Sequence, residues 1–586
     1  MNTALSKLMP LALASGIFLT ACGNTGNENT VTEAETATSS AETTVKEETE
    51  AAAEETTAQE TEVSIIDLTG LPAEEVFEYT VYDDHVVIDK CIQFGDKITV
   101  PEEIEGVKVT EIGGGAFYNI TDISYLQDYI SVIVLPDSIE VIGVGAFSNC
   151  GSITGLTINF PKNLRVIEEN AFVSSGIQGD IEIPGTVSEI KANAFHNCIY
   201  LESVTLGSGI TALQNSSFSG CEKLSNVVIP DSVTSIDYYC FSGCSSLRSI
   251  DFPESVTKFV GNAFNHTPLA EENQPLIINN ILVDYTSAEG EIVLSENITE
   301  ISEYAFARSD VTSIVIPDSV TEIGPNAFYR CKSLESITLP KKLTEINEQM
   351  FTDCESLKSI VIPDTVTRIG NDAFNGSALE SIQIPESVTY FGSSAFSKTP
   401  FVAAQQPLII NDILCDWSTA SGDITLPDNF TIIGAGAFMG NERITSVTIP
   451  DTVTRIEERA FSRCEDLSDI SIPSSVEYIG STAFGFTAYE QNNEPLIMND
   501  ILYSWKKASG DISVPDGVRE IDAFAFFGCE TVTGITVPDS VTSIGDRAFG
   551  KCTKLVSVSL PSGVELGPDV FMETPADEDS SMIEYR

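Results

Sequence analysis

A short phrase recurs along most of this 586-residue chain, as in IGVGAFSNC at 142–150, IGPNAFYRC at 323–331 and IGDRAFGKC at 544–552. Most copies follow one another at 22 or 23 residues, although three spacings are 42 residues. Repeats of this length are typical of solenoids, in which one unit has no core alone and buries its apolar side chains against the next. The phenylalanines that mark the eighteen copies are Phe117, Phe147, Phe172, Phe195, Phe218, Phe241, Phe264, Phe306, Phe328, Phe351, Phe374, Phe396, Phe438, Phe461, Phe484, Phe526, Phe549 and Phe571.

Each copy is predicted to hold a strand, a turn, a second short extended piece and a tight helical turn. In the copy VTSIGDRAFGKCTKLVSVSLP, Phe549, Cys552 and Leu555 lie three residues apart, which is the period of a 3₁₀ turn. Val558 and Leu560 then alternate as in a strand. A proline ends that strand, and the Pro-Asp pair that follows many strands suits a type I turn.

The consensus IPDSVTxIGxxAFxxCxxLxxIxIP resembles the BspA-like leucine-rich repeats of bacterial surface proteins, and the resemblance covers about residues 77–574. It departs from the common leucine-rich repeat, which carries an asparagine after the strand where a proline usually stands here. The resemblance implies a β-rich (α/β-type) leucine-rich-repeat solenoid of about 18 coils of ~23 residues, with short strands and short helical or 3₁₀ turns. It also implies extracellular binding, often adhesion to host or bacterial proteins, without naming a partner.

The N-terminus predicts export and lipid anchoring. An apolar run at 8–20 follows Lys7 and is too short to span a bilayer. The run ends in LTAC, which resembles a lipobox, so the resemblance implies cleavage before Cys22 and lipidation of its thiol. An ordinary cleaved signal peptide is the alternative. The segment at 23–62 has eleven glutamates, one lysine and no aromatic residue, so we expect a disordered stalk.

Five segments follow from these patterns. Residues 1–21 are the lipoprotein signal peptide, and 22–62 hold the lipidated cysteine and the acidic stalk. Residues 63–112 alternate apolar and polar side chains from 77 onward and are predicted to form an N-terminal β cap. Residues 113–574 form the solenoid, and 575–586 form an acidic C-terminal tail. The unit of Phe571 is degenerate, and we expect no strand after it.

The composition excludes several classes of partner. The net charge is −57, with 87 acidic against 30 basic residues. This argues against nucleic acid, which selects basic surfaces, and against docking on an anionic membrane surface. We therefore expect contact with the membrane through the lipid anchor only.

The residue three after the phenylalanine is cysteine in nine copies and is mostly serine or threonine elsewhere. A disulfide framework would not accept serine or threonine, and a metal site would need clustered ligands. We interpret these thiols as small buried scaffold residues. The nine are Cys150, Cys198, Cys221, Cys244, Cys331, Cys354, Cys464, Cys529 and Cys552.

Catalytic signatures are missing from the sequence. The three histidines, His85, His196 and His266, lie in different parts of the repeat and are not expected to converge. There is no G-x-S-x-G, phosphate loop or H-E-x-x-H motif. We therefore expect no catalytic residues, no metal, no cofactor and no enzyme activity. Aspartates after the strand prolines suit turns, with weak Ca²⁺ binding along an acidic ridge as the alternative.

One position of each repeat strand is predicted to face outward and to form a broad docking surface. This position is mostly neutral and β-branched, which plain strand propensity also explains. The residues chosen as the binding candidates on this face are Val228, Val293, Val315, Thr338 and Val361.

The three 42-residue spacings each contain an insert of about nineteen residues before the repeat strand. Asn-Asn or Asn-Asp between two apolar runs predicts a hairpin turn in each insert. Ten residues after the proline that opens each insert stands an aromatic residue that could stack on a sugar or anchor a protein. The alternative is that the ring packs the insert onto the next coil. The inserts are 275–294, 407–426 and 495–514, and their aromatics are Tyr285, Trp417 and Trp505.

Together these patterns predict a lipid-anchored protein on the extracellular face of a bacterial membrane. The leading function is noncatalytic binding of extracellular proteins, host or bacterial, in the manner of an adhesin. Glycan binding through the insert aromatics is the second hypothesis, and a passive envelope spacer is the third.

Overall fold

The computed structural model describes residue 68 and residues 70–93, 97–118, 132–150, 156–492, 495–578 and 582–586. These residues all belong to one unit, 64–586. The signal peptide, Cys22 and the acidic stalk of the sequence analysis lie outside the described residues.

Two strands per coil build the molecule, as the repeat pattern predicts. The longer strand of one coil, Leu201–Thr205, pairs in parallel with Asn226–Val228 of the next coil. A two-residue strand, Ala212–Leu213, pairs in parallel with Ser235–Ile236. Consecutive coils thus form one ladder of longer strands and one of short strands, and the predicted solenoid is confirmed.

The segment around each phenylalanine consists of consecutive turns, which contain the i→i+3 hydrogen bonds of the predicted 3₁₀-type turn but share their amides between two coils. In one coil the N–H groups of Asn193, Phe195 and Asn197 donate to carbonyls of the next coil at 2.7–2.9 Å. The N–H groups of Ala194 and Cys198 between and after them donate within their own coil at 3.2 Å. A 3₁₀ helix would keep every amide inside the segment. Half of these amides instead join the coils.

The conserved geometry of these turns depends on two backbone positions. Asn193 and Asn197, two residues before and after Phe195, both have φ of 57°. Asparagine and glycine tolerate this left-handed conformation better than most residues. These two left-handed positions flank the inward-pointing phenylalanine, and in other coils they also hold large residues such as Phe524 and Phe486, with φ of 60° and 63°.

The phenylalanines form a buried column. Neighbouring rings, such as those of Phe172 and Phe195, stack with centroids 5.0 Å apart and planes 2° apart. The rings are nearly or fully buried. Offset stacking in a dry core adds to the free energy that apolar burial contributes, so this column is the main apolar contact between coils.

The column is interrupted at the three inserts, and a helix followed by a β-hairpin stands at each interruption. The hairpin turn of the first insert consists of Asn279 and Asn280, with φ of 48° and 66°. These values fit the two-residue turn predicted from Asn-Asn. The second hairpin strand, Ile281–Asp284, then pairs in parallel with Glu300–Ile301 and so enters the short-strand ladder.

The same helix–hairpin arrangement opens the N-terminal cap, where the hairpin strands are Phe77–Val81 and Val86–Cys91. The described chain therefore falls into four blocks, each headed by a helix and a hairpin. The buried apolar residues form four clusters whose boundaries lie within the inserts, near residues 281, 413 and 502.

The first block holds α1 (Ala73–Val76), β1 (Phe77–Val81), β2 (Val86–Cys91), β3 (Lys97–Thr99), β4 (Glu103–Ile104), β5 (Val107–Ile112), β6 (Val132–Val134), β7 (Val141–Ile142), β8 (Thr157–Ile158), β9 (Val166–Ile167), β10 (Gly179–Glu182), β11 (Glu189–Ile190), β12 (Leu201–Thr205), β13 (Ala212–Leu213), β14 (Asn226–Val228), β15 (Ser235–Ile236) and β16 (Lys258–Phe259). The second block holds α2 (Pro268–Glu272), β17 (Leu276–Ile278), β18 (Ile281–Asp284), β19 (Glu289–Val293), β20 (Glu300–Ile301), β21 (Asp310–Val315), β22 (Glu322–Ile323), β23 (Ser336–Thr338), β24 (Glu345–Ile346), β25 (Ser359–Val361), β26 (Arg368–Ile369), β27 (Ser381–Gln383) and β28 (Tyr390–Phe391).

The third block holds α3 (Pro400–Ala404), β29 (Leu408–Ile410), β30 (Ile413–Asp416), β31 (Gly422–Thr425), β32 (Ile432–Ile433), β33 (Ile444–Thr448), β34 (Arg455–Ile456), β35 (Asp469–Ser471) and β36 (Tyr478–Ile479). The fourth block and the C-terminus hold α4 (Ala488–Asn492), β37 (Leu496–Met498), β38 (Ile501–Ser504), β39 (Gly510–Ser513), β40 (Glu520–Ile521), β41 (Val532–Thr536), β42 (Ser543–Ile544), β43 (Ser557–Leu560), β44 (Glu565–Leu566), α5 (Pro575–Glu578) and β45 (Ile583–Tyr585).

The C-terminal segment differs from the sequence prediction. We expected an acidic tail at 575–586 and no strand after Phe571, yet β45 pairs in parallel with β43. Ile583 lies opposite Val558 in this pairing and packs against the last core cluster. The signal in the sequence was the short apolar pair Met582 and Ile583 within an otherwise acidic segment.

Candidate binding surface

The outward positions of the longer strands carry exposed valines in the second block. Val293 and Val361 are 77% and 63% exposed, and Val315 is also exposed. Because side chains alternate along a strand, the isoleucines that precede these three valines point toward the core. Val293 lies directly opposite Val315, and Val315 lies opposite Thr338. Three of the candidate residues are therefore neighbours on one surface.

We call Val293, Val315, Thr338 and Val361 the valine row. Strand β23, which ends at Thr338, contacts β25, which ends at Val361, and Val361 lies opposite Gln383. The fifth candidate, Val228, is exposed but lies in the first block, opposite Thr205 and Asp251. The first insert separates Val228 from the valine row along the chain.

A second outward row runs beside the valine row and is mostly made of serines. Ser313 lies opposite Glu291 on one side and Ser336 on the other. The Ser336 hydroxyl donates to the Ser313 Oγ at 3.2 Å. At the end of the strands Lys341 pairs with Asp318 at 3.0 Å. This part of the surface thus presents methyl groups and hydroxyls beside exposed carboxylates such as those of Glu291 and Glu335.

The three insert aromatics occupy the backbone position of a core phenylalanine. The N–H of Trp417 donates to the Ala437 carbonyl at 2.8 Å, as the N–H of Phe117 donates to the Ala146 carbonyl at 2.7 Å. Tyr285 and Trp505 make the equivalent bonds to the alanines before the next phenylalanines. The inserts therefore form coils of their own. The signal in the sequence was that 42 is twice 21 and that an aromatic residue stands at each midpoint.

The rings of these aromatics pack on the column of the block that they head. The centroid distances are 5.5 Å for Tyr285–Phe306, 6.0 Å for Trp417–Phe438 and 5.9 Å for Trp505–Phe526. All three side chains are partly buried against a core cluster. This placement favours the interpretation in which the ring holds the insert on the next coil over an exposed sugar-stacking ring.

Cysteines three residues after the phenylalanines form hydrogen bonds between consecutive coils. The Cys354 Sγ donates to the Phe328 carbonyl of the preceding coil at 3.3 Å, and Cys221 donates to Phe195 in the same way at 3.2 Å. None of the twelve cysteines among the described residues forms a disulfide bond. Burial raises the pKa of the Cys331 thiol to about 11 and that of Cys244 to about 12. A protonated thiol is a poor nucleophile, so the structure supports a scaffold role.

Threonine replaces cysteine at this position where a block ends. The Thr267 hydroxyl donates to the Phe264 carbonyl at 2.6 Å and accepts from the Ala270 N–H at 3.2 Å. It thereby caps α2, since the first amides of a helix lack partners within the helix. Equivalent pairs of bonds are made by Thr399, Thr487 and Thr574. The Cys-to-Thr change marks each block boundary in the sequence.

The aspartates after the strand prolines pair with lysines of the next coil in two places. Asp137 accepts from Lys162 at 2.8 Å, and Asp318 accepts from Lys341 at 3.0 Å. The hydrogen bonds from these lysines lower the pKa of both carboxyl groups. Throughout the described ranges, no group of three or more His, Cys, Asp or Glu residues could hold a metal ion.

The three histidines lie far apart in the chain and in different coils. His85 lies in the hairpin of the first block, where its Nδ1 is 2.7 Å from the Asp84 carboxylate. His196 follows Phe195, and burial lowers its pKa. His266 is exposed beside α2, 3.9 Å from Glu271. Within the part of the chain that the structure describes, no helix is long and apolar enough to cross a membrane.

The sequence matches the family described as BspA type leucine-rich repeat region (6 copies) in five overlapping or adjacent segments, residues 110–180, 177–288, 277–402, 409–501 and 496–575. The chain therefore belongs to this family. Searched against the curated proteins, the sequence finds no match.

Several of the solved structures that match this chain are bacterial leucine-rich repeat proteins. A leucine-rich cell surface protein of Faecalibacterium prausnitzii is 24% identical, with 70% of this chain and 96% of that chain covered and a TM-score of 0.32. The pneumococcal vaccine antigen PcpA is 19% identical, with 71% and 93% covered and a TM-score of 0.34. A leucine-rich repeat protein of Bacteroides ovatus is 21% identical, with 87% and 98% covered and a TM-score of 0.21.

Proposed function

We propose that this chain is a noncatalytic surface protein that binds an extracellular protein, host or bacterial, through the valine row. The observation that carries the proposal is the contiguous exposure of Val293, Val315 and Thr338 beside a serine row. Exposed β-branched side chains in a rigid ladder lose little conformational entropy on binding. Apolar contacts at the centre with hydroxyls at the margin match the usual composition of protein interfaces.

The test is a pull-down followed by a measured affinity. The immobilised chain is exposed to host matrix proteins and to the secreted proteins of neighbouring bacteria, and bound proteins are identified by mass spectrometry. A supporting partner binds saturably and loses at least about tenfold in affinity when Val315 and Val361 both become glutamate, because the charges would be desolvated at the interface.

The matched control is Val144→Glu. Val144 is 54% exposed but follows the short strand β7, away from the longer strands. Loss of binding in this variant as well would indicate a general charge effect and would count against the valine row. A partner that binds equally well to all three proteins would exclude this surface as its site.

The proposed location is the extracellular face of a bacterial membrane, with Cys22 as the lipid attachment. The lipobox-like LTAC at 19–22 and the apolar run before it support this. Two acyl chains anchor a protein stably, whereas one does not. Metabolic labelling with a fatty acid analogue should mark the chain and not the Cys22→Ser variant. Equal labelling of the two chains would exclude lipidation at this cysteine.

A further inference from the structure

The backbone hydrogen bonds that join consecutive coils are interrupted where one block meets the next. Within a block, the N–H of a column phenylalanine donates to the carbonyl just before the next ring, as from Phe438 to Ala460 at 2.8 Å. Among the described residues, the last phenylalanine of each of the first three blocks donates no such bond. These three are Phe264, Phe396 and Phe484.

Both strand ladders end at the same three places. The short-strand ladders of the first, second and third blocks end at β16, β28 and β36, and a new ladder begins with the hairpin of the next block. The longer strands likewise end at Asp251, β27 and β35, and they begin again at β19, β31 and β39. In the part of the chain that the structure describes, no parallel strand pairing therefore crosses from one block to the next.

The helix that heads each later block covers the last ring of the block before it. Phe401 of α3 lies edge-on to Phe396 with ring centroids 5.6 Å apart, and Tyr489 of α4 lies edge-on to Phe484 at the same distance. Leu269 of α2 is buried in the core of the first block. Repeat proteins need such capping units at the ends of a continuous core, and here they stand inside the chain.

The two residues of the hairpin turn divide their hydrogen bonds between the two blocks. In the first insert the Asn279 Nδ2 donates to the carbonyls of Pro253 and Val256 in the coil before, both at 2.9 Å. The Asn280 carbonyl accepts from the Thr299 N–H in the coil after, also at 2.9 Å. The boundary between the blocks therefore runs between these two asparagines.

Side chains supply the remaining polar contacts across the junctions. At the first junction the Glu303 carboxylate accepts from the Tyr238 hydroxyl. At the third junction the Tyr503 hydroxyl donates to the Ile479 carbonyl at 3.1 Å. These contacts differ from one junction to the next, whereas the backbone bonds inside a block recur in every coil. We therefore expect the free energy that holds two blocks together to be smaller than that which holds two coils of one block.

We propose that the four blocks are separate cooperative units of folding, so that one block can unfold while the others keep their structure. Cooperativity in a repeat protein depends on the interface between neighbouring units. Regions joined by few backbone bonds and by a divided core open at a lower free energy than the rest. The valine row lies wholly within the second block, so unfolding of the third or fourth block leaves this surface intact.

The test uses the full chain and its two tryptophans as probes of two neighbouring blocks. Trp417 packs against the core of the third block and Trp505 against that of the fourth. Trp505→Phe leaves Trp417 as the only tryptophan, and Trp417→Phe leaves Trp505. Denaturant unfolding followed by tryptophan fluorescence then gives the midpoint of each block separately.

A matched pair of core variants decides between block-wise and global unfolding. Phe461 and Phe549 are each the middle ring of three in their column, and both are fully buried. Phe549→Ala should lower the midpoint reported by Trp505 more than that reported by Trp417, and Phe461→Ala should do the reverse. Equal shifts of both midpoints in either variant would overturn the inference. Phe461→Leu and Phe549→Leu make the same comparison if an alanine variant does not fold.

Hydrogen exchange on the unmodified chain gives a second measurement that needs no variant. With rising denaturant, the amides of one block should lose protection together, and the four blocks should do so at different concentrations. Loss of protection throughout the chain at one concentration would show a single cooperative unit. Loss coil by coil within a block would contradict the blocks as units in the opposite way.

Discussion

The N–H of Trp417 donates to the Ala437 carbonyl at 2.8 Å, and the Trp417 ring lies 6.0 Å from that of Phe438. This tryptophan thus heads the phenylalanine column of the third block. Trp505 and Tyr285 stand at the same place in the fourth and second blocks. The columns of these three blocks therefore each begin on an aromatic residue supplied by a helix–hairpin insert. In the first block the equivalent position is held by Cys91, whose N–H donates to the Ala116 carbonyl at 2.8 Å.

The two tryptophans should be shielded from solvent. Trp417 and Trp505 are the only tryptophans in the chain, and both pack against a core cluster. Quenching of their fluorescence by iodide should be weak in the folded protein and should rise on unfolding in guanidinium. Quenching as strong as that of a free tryptophan before unfolding would contradict the packing of both rings.

Removing a ring from the column should destabilise the protein. Phe328 is fully buried and stacks on Phe351 at 5.4 Å, so Phe328→Ala should reduce the free energy of unfolding by about 3–5 kcal/mol. Trp417→Ala should reduce the free energy of unfolding by less, because this ring is only partly buried. Trp417→Phe should reduce it least of the three. Denaturant unfolding of the three variants measures the order of these losses in free energy. An equal loss for the two tryptophan variants would argue against a role of the Trp417 ring in the phenylalanine column.

The threonines at the block boundaries should stabilise their helices by capping. Thr399 accepts from the Val402 N–H at 3.2 Å and donates to the Phe396 carbonyl at 2.6 Å. Thr399→Ala should therefore lower the free energy of unfolding by about 1 kcal/mol. Thr399→Ser keeps both hydrogen bonds and serves as the control. A serine variant as unstable as the alanine variant would show that the methyl group, and not the hydroxyl, matters.

The cysteine thiols should react slowly in the folded protein. Burial raises the pKa of the thiols of Cys91 and Cys464 to about 12, so little thiolate forms at neutral pH. In the Cys22→Ser chain, a disulfide exchange reagent should titrate all twelve remaining thiols rapidly only after unfolding. Rapid reaction of several thiols before unfolding, or fewer than about ten thiols after it, would contradict a mostly buried set of thiols without disulfide bonds.

The carboxyl group of Asp522 should make stability depend on pH. Burial raises its pKa from 3.8 to about 6, against backbone hydrogen bonds from Ala523 and Thr482 that lower it. A raised pKa means that the folded state favours the protonated form. The stabilising contribution of this carboxyl group to the free energy of unfolding is therefore complete below pH 3.8. It is lost as the pH rises through about 6.

Asp522→Asn removes this dependence and keeps a hydrogen-bond acceptor. We expect the variant to be more stable than the parent at pH 8 by about 1–3 kcal/mol, and the difference to vanish near pH 3. The exposed Asp516→Asn is the control and should leave the pH profile unchanged. A constant difference between Asp522→Asn and the parent across this range would show that the carboxyl does not titrate differently on folding.

Much of the fold could be predicted because the same spacing of apolar residues recurs in the copies of the repeat. Val558 and Leu560 alternate as strand residues, and both are buried in β43. The hairpin turn at Asn279 and Asn280 could be predicted because asparagine tolerates the positive φ that a two-residue turn requires. The three-residue spacing around Phe549 matches i→i+3 hydrogen bonds such as that from the Cys552 N–H to the Phe549 carbonyl at 3.2 Å, but it does not show that alternate amides bond to the next coil.

The candidate surface could be predicted only in part. Alternation along each strand indicated that Val293 and Val315 face outward, and the structure shows both exposed. The spacing did not indicate that Val228 lies in another block. The contact between Glu303 and the Tyr238 hydroxyl could not be inferred, since Tyr238 precedes Glu303 by 65 residues and the first insert lies between them.

The sequence by itself determined the solenoid, its two strands per coil and its buried phenylalanines, because each coil repeats the same local periods and side-chain sizes. Only the tertiary structure decided that the inserts are coils headed by a helix and a hairpin, and that Trp417 replaces a phenylalanine. The physical reason is that register between coils depends on hydrogen bonds over 20 or more residues. Hydrogen bonds between residues so far apart produce no local pattern in the sequence.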